Sequence, residues 1–290
     1  MGFTIKELET LTGVKAHTIR IWEQRYGFLK PSRTATNIRT YSNEELKTLL
    51  TVALLNKYGY KISRIDGMGA EQRHREVLGL HFPDAQHEHL VNALIGCMVD
   101  LDNYGFEGRL NQYLSTYGLE DTLVTIIFRF LEKTGILWQT GRVNPAHEHI
   151  VSNIVRQKII AGIERLAPPP DTEPRLLLFL PEGEFHELGL LYVFYLLRKR
   201  GRYVLYLGAN MPLKDVLYVA RLKRPDYCYI HLTAVIHRPA FQRFINGLSA
   251  QLPDTRILLS GHVAGDAPKG AANLVPLQSL SAALSYINDL

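Results

Sequence analysis

"RLLLFLPEGEFHELGLLYVFYLL", residues 175–197, sets an unbroken apolar run, a short loop of glycine and acids, and a second apolar run end to end. The first run is short and rich in Leu and Phe, as a strand buried on both faces would be, and the second reads as the helix that returns across it. The pattern recurs downstream. "YVLYLGAN", "YCYIHLTA" and "RILLSG" are each followed by a helix or a turn, and "ANLVPL" closes the series. This alternation predicts a five-stranded, doubly wound α/β domain of Rossmann-like type over residues 168–290. Such sheets take ligands beyond the C-terminal ends of their strands, and the loop carrying His186 lies at that edge.

The loop has neither GxGxxG nor GxxxxGK[ST], so it offers no phosphate cradle. It offers Glu184-x-His186-x-x-Gly189 instead. A carboxylate two residues from an imidazole can accept the proton of the far ring nitrogen and make the near one a better metal ligand. Cys97 and Cys228 lie far apart and form no CxxC pair, which argues against a disulfide framework and a cysteine-built zinc site. The "HEH" triplets at 87–89 and 147–149 place histidines at i and i+2, roughly 200° apart on a helix, where they cannot share one metal.

Charge is concentrated at the other end. The chain carries a net +5, and residues 1–66 hold eleven Lys and Arg against six Asp and Glu, so the whole excess sits there and favours a polyanion such as DNA. Thr4-Ile-Lys-Glu7 is a capping box, Ile5, Leu8 and Leu11 follow at helical spacing, and Gly13 stops the helix. After this turn "KAHTIRIWEQRYG" puts Ile19 and Trp22 on one face, while Lys15, His17, Thr18, Arg20 and Arg25 supply donors elsewhere. This is a helix-turn-helix with a recognition helix. Beyond Pro31, "SRTATNIRTYS" is too polar for a core strand and reads as a hairpin wing, from which Arg33, Arg39 and Tyr41 can donate to phosphates. The unit spans residues 1–70.

Residues 71–167 contain amphipathic segments without strand-like alternation and are expected to form a four-helix bundle. Trp138 closes a long apolar helix there, and Glu148 and His149 open the next, with Glu148 in the first turn where a carboxylate suits the helix dipole. "MGFTIKELET" holds no apolar core of signal-peptide length, and the ten residues Leu188–Leu197 are about half of what spans a bilayer. A soluble, cytoplasmic protein with no membrane partner is the expectation.

"TIRIWEQRYGFLKPSRTATNIRTYSNEEL" resembles the winged-helix domain of MerR-type transcription regulators. The Glu-x-His-x-x-Gly loop is similar to the motif of cobalamin-binding domains, which implies that His186 is the lower axial ligand of cobalt while the displaced nucleotide tail runs into the fold. By that resemblance Thr233 stands where the family has a serine. Ser260-Gly261 stands where a Gly-Gly usually lets the backbone pass close to the tail, and Ser260 adds a side chain at that point. Trp138, nine residues, then Glu148-His149 resembles the Trp-x9-Glu-His pattern of light-sensing MerR-type repressors that use adenosylcobalamin. Trp138 is thereby implied to pack on the upper ligand, with Glu148 and His149 lining the adenosyl pocket. Those regulators often carry a histidine directly after the tryptophan, where this chain has Gln139.

The resemblance implies a homo-oligomeric repressor, a dimer or tetramer, that binds a double-stranded operator under control of adenosylcobalamin and light. The cofactor is expected between the bundle and the last domain. A regulator that has lost cobalamin and acts through protein–protein contacts is the alternative. No catalytic domain is left once three units are assigned, so an enzyme is not expected.

Overall fold

The computed structural model describes residues 2–139, 144–171, 174–233, 238–266, 268 and 271–289, with the backbone alone at 136–139, 262, 266 and 280. It divides into two compact units, Met1–Val155 and Arg156–Leu290.

In the first unit α1 (Ile5–Thr12) begins on the expected capping box: Thr4 N donates to Glu7 Oε2 at 2.6 Å, Glu7 N to Thr4 Oγ1 at 3.5 Å. Gly13 ends it in the left-handed conformation. The recognition helix α2 (Ala16–Arg25) buries Ile19 and Trp22. A two-stranded hairpin follows, with β1 (Ser32–Arg33) antiparallel to β2 (Arg39–Thr40). Phe3 bridges Tyr41 beyond β2 and ties the chain start to the wing. A second capping box, Ser42 with Glu45, starts α3 (Asn43–Lys57). After α4 (Ile62–Asp66) and α5 (Ala70–Leu78) come the long helices α6 (Pro83–Val99) and α7 (Asn103–Thr122). Gly118, at φ 79 and ψ 174, breaks α7 into two helical stretches, at the point where one amphipathic segment of the sequence ends and the next begins, and a π-helical turn, Leu123–Ile127, leads on into α8 (Phe128–Gln139). Helix α9 (Pro145–Glu164) crosses the boundary between the units.

The second unit is the predicted doubly wound sheet. Its strands are β3 (Leu176–Pro181), β4 (Val204–Met211), β5 (Tyr227–His231), β6 (Arg256–Ser260) and β7 (Leu274–Leu277), all parallel in the order β4-β3-β5-β6-β7. The helices are α10 (Leu188–Lys199), α11 (Leu213–Lys223), α12 (Arg238–Gln251) and α13 (Leu280–Asn288). Alternate residues of β3 feed opposite faces, as the two-residue period of a strand requires. Leu177 and Phe179 pack with Val216, Ile245 and Leu248, while Leu176, Leu178 and Leu180 pack with Leu190, Val193 and Ile287. Both faces are covered, which is why these strands read as continuous apolar runs. The strand order reverses between β3 and β5, and crevices in such sheets open at that point.

Candidate cofactor site and nucleic-acid interface

The loop after β3 is pinned from below. Glu184 N donates to Pro181 O at 3.0 Å, and Asn210 at the end of β4 holds the loop by two bonds, from its own N to Glu184 O (3.0 Å) and from Gly183 N to its Oδ1 (2.9 Å). The Glu184 side chain, 7 % exposed, turns back under the loop. One oxygen, Oε1, accepts from Phe185 N (2.9 Å), His186 N (2.8 Å) and His186 Nδ1 (2.6 Å). Burial by itself raises the Glu184 carboxyl, but the bonds from the His186 side chain and backbone outweigh it and hold the group below the usual carboxylate range. The carboxylate fixes the proton of a neutral His186 on Nδ1, so the ring keeps its lone pair on Nε2. The imidazole itself is 59 % exposed at the sheet edge. On the far side of the loop Glu187 takes Arg156 Nε on one oxygen and the Tyr206 hydroxyl, at 2.9 Å, on the other.

Beside this loop the crevice holds a second histidine. His231 ends β5, and its Nδ1 lies 2.9 Å from Ser260 Oγ at the end of β6. The same Oγ lies 2.7 Å from the Tyr229 hydroxyl, and Ser260 is 1 % exposed. A Cβ on Gly189 would stand 2.3 Å from His231 Nε2, so the ring rests on bare backbone at the start of α10.

In the first unit Lys15, His17, Arg20 and Arg25 are exposed on or next to α2, with Thr18 half-buried. Lys15 Nζ pairs with Glu9 at 3.2 Å, and Thr18 Oγ1 lies 3.3 Å from His17 Nε2. In the wing, exposed Arg33 holds Asn37 Oδ1 at 2.8 Å across the hairpin. Arg39 lies differently: its Nε donates to both oxygens of Glu23 on α2, at 3.0 and 2.9 Å. The Tyr41 hydroxyl donates to the same carboxylate at 3.1 Å.

Residues 3–71 match the MerR HTH regulatory protein family, and residues 90–161 match the B12 binding domain family. The chain carries a MerR-type helix-turn-helix domain followed by a B12-binding domain. It is 29% identical over 228 residues to the HTH-type transcriptional repressor CarA of Myxococcus xanthus, covering 78% of this chain and 75% of that one. To the repressor CarH of the same organism it is 28% identical over 253 residues, covering 84% and 83%. Among solved structures, the monomethylamine corrinoid protein of Methanosarcina barkeri shares the fold, with a TM-score of 0.55 at 12% identity, covering 70% of this chain and all of that one.

Within the MerR-type domain one expected DNA contact is corrected. Tyr41 is fully buried and its hydroxyl is engaged by Glu23; burial, then the Glu23 carboxylate, pushes that hydroxyl up and keeps it a neutral donor. It braces the wing rather than reaching phosphate. In the second unit Glu184, His186, Gly189, Ser260 and Gly261 gather at one sheet edge, while Thr233 is exposed two residues past β5. The residue set against Gly189 is His231, which stands outside the Glu-x-His-x-x-Gly motif; only its place as the last residue of β5 could have signalled it. Gly261, at φ +94, makes its close approach to main chain: a Cβ there would stand 2.1 Å from Leu232 O. Glu148 and His149 lie in the first turn of α9, paired at 3.0 Å, with the His149 side chain exposed. Trp138 and Gln139 close α8, and their side chains lie outside the described residues.

Proposed function

We propose that this chain is a DNA-binding transcriptional repressor governed by adenosylcobalamin and light. The observation that carries the reading is the Glu184–His186 pair at the C-terminal edge of a parallel sheet, in a chain that also carries a MerR-type domain. Bound adenosylcobalamin supplies a cobalt–carbon bond that visible light breaks. The protein's part is to hold and orient it. His186 would meet cobalt through Nε2, with Glu184 fixing the tautomer and ring direction and raising ligand basicity. Trp138, Glu148 and His149 are assigned to the adenosyl pocket.

In the MerR-type domain Arg20 would read bases from α2, and the wing would touch phosphate through Arg33. A dimer or tetramer in the cytoplasm would present several such domains to one operator, so affinity would follow assembly. No helix among the described residues is long and apolar enough to cross a membrane. Three functional parts are proposed, 1–70 for DNA, 71–167 capping the cofactor and 168–290 carrying the histidine. The alternative, a regulator working by protein–protein contacts without cobalamin, draws on the filled crevice between the ends of β5 and β6.

The test is gel filtration of the full chain with adenosylcobalamin in the dark, followed by its absorption spectrum before and after green light. Coloured protein whose spectrum changes on illumination, and whose colour His186→Ala loses, supports the repressor reading. A colourless wild type hands the function to the alternative.

A further inference from the structure

Holding cobalt from below with a protein histidine has a steric consequence that follows from the chemistry of cobalamin itself. Its lower position is taken by its own benzimidazole, tethered by a nucleotide loop, and that base must leave the metal and find room on the side from which the histidine comes. On this chain that side is the crevice between β3 and β5, next to the loop of His186. The crevice is already filled. The His231 ring reaches from Ser260 Oγ, 2.9 Å from its Nδ1, to the backbone of Gly189, where a Cβ would come within 2.3 Å of the ring. Ser260 is itself buried and anchored to the Tyr229 hydroxyl at 2.7 Å, and Gly261 presses on Leu232 O. The donor pair therefore suits a corrinoid, while the space beneath it admits a displaced nucleotide only once the His231 ring moves.

We propose that His231 is a specificity-determining residue of the corrinoid site: seated on Gly189 and held by Ser260, it fills the space a displaced nucleotide needs and so disfavours corrinoids that carry one. Corrinoids of the cobinamide class, which lack the nucleotide, reach His186 without moving it. Cobalamin binds only with the His231 ring swung away and its bond to Ser260 broken. This rests on the reading of His186 as a cobalt ligand.

The test compares hydroxocobalamin with diaquocobinamide, each titrated in the dark into the full chain and followed by absorbance. Cobinamide has an intrinsic advantage, because it has no base to displace, so the informative quantity is the change in the affinity ratio on mutation. His231→Gly is expected to move the ratio toward cobalamin by about tenfold, with cobinamide affinity unchanged within about twofold. His231→Ser, which keeps a hydroxyl near Ser260, gives the same direction should the glycine variant fold poorly. A ratio that moves toward cobalamin in neither variant overturns the proposal. A wild type that binds neither corrinoid overturns the cobalt-ligand reading itself, and His186→Ala separates the two failures by weakening both corrinoids together only if that reading holds.

Discussion

Gly13, which ends α1, and Gly261, which follows β6, both have left-handed backbone, at φ +73 and +94. A Cβ on Gly13 would meet nothing within 4 Å, whereas one on Gly261 would overlap Leu232 O at 2.1 Å. The contrast extends to their neighbourhoods. Gly27 and Gly59 of the first unit also look onto open space, while Gly189 of the second carries the His231 ring. The MerR-type domain makes its working surface from side chains projecting off short, self-capped helices. The sheet edge makes its own from main-chain segments pressed together, with side chains wedged among them, so the two surfaces should tolerate change unequally.

The matched pair Gly261→Ala and Gly13→Ala tests this directly. Both put an L side chain on left-handed backbone, which costs about 1 kcal/mol where space is open. At Gly261 overlap with main chain adds to this, and the expected total is about 4 kcal/mol. Hydrogen exchange of peptides from each unit reads the two losses separately. Equal losses would mean that conformation alone sets the cost, and the comparison between the regions would fail.

Glu184→Ala is expected to rank between them. It strips one acceptor from three donors, two backbone N–H groups and His186 Nδ1. Phe185 and His186 are exposed enough for water to replace part of that bonding, so about 2 kcal/mol is expected, confined to exchange in residues 182–187. Loss spread through β3 and α10 would show that the carboxylate supports the sheet edge as a whole rather than its own loop.

The same distinction explains what could be read from the chain. Thr4 with Glu7, Ser42 with Glu45 and Glu184 with His186 are two or three residues apart, and local spacing announces them. The five apolar runs announce the sheet because both of its faces are covered. Glu23 lies 16 residues from Arg39 and 18 from Tyr41, His231 lies 29 from Ser260, and Arg156 lies 31 from Glu187. No local pattern marks these pairs, since only the fold brings them together. Tyr41 therefore reads as a surface residue: its neighbours Arg39 and Thr40 are polar, and the acid that engages its hydroxyl sits far off in sequence, on α2.

The Glu23 clasp gives the smallest expected effect and bears on how the wing works. Sequence alone puts Arg39 on phosphate, but its Nε is held by Glu23, so one contribution of Arg39 is to fix the angle between wing and recognition helix. Half-buried ion pairs of this kind are worth about 1 kcal/mol. Glu23→Gln should therefore weaken DNA binding by about fivefold, and to the same extent on a duplex selected by the protein and on a random one, because wing placement serves phosphate contact. Arg20→Ala, on the recognition helix, should instead reduce the preference for the selected duplex. The decisive comparison is the double variant Glu23→Gln with Arg39→Ala, measured by fluorescence anisotropy across a salt series. If Arg39 acts through Glu23 alone, the double variant binds like Arg39→Ala and the salt slope stays that of the wild type. If Arg39 also neutralises a phosphate, Arg39→Ala lowers the slope by about one while Glu23→Gln leaves it unchanged. A Glu23→Gln variant that binds both duplexes as well as wild type would show that the wing is held by the Phe3–Tyr41 bridge and the hairpin, and that the clasp has no part in DNA binding.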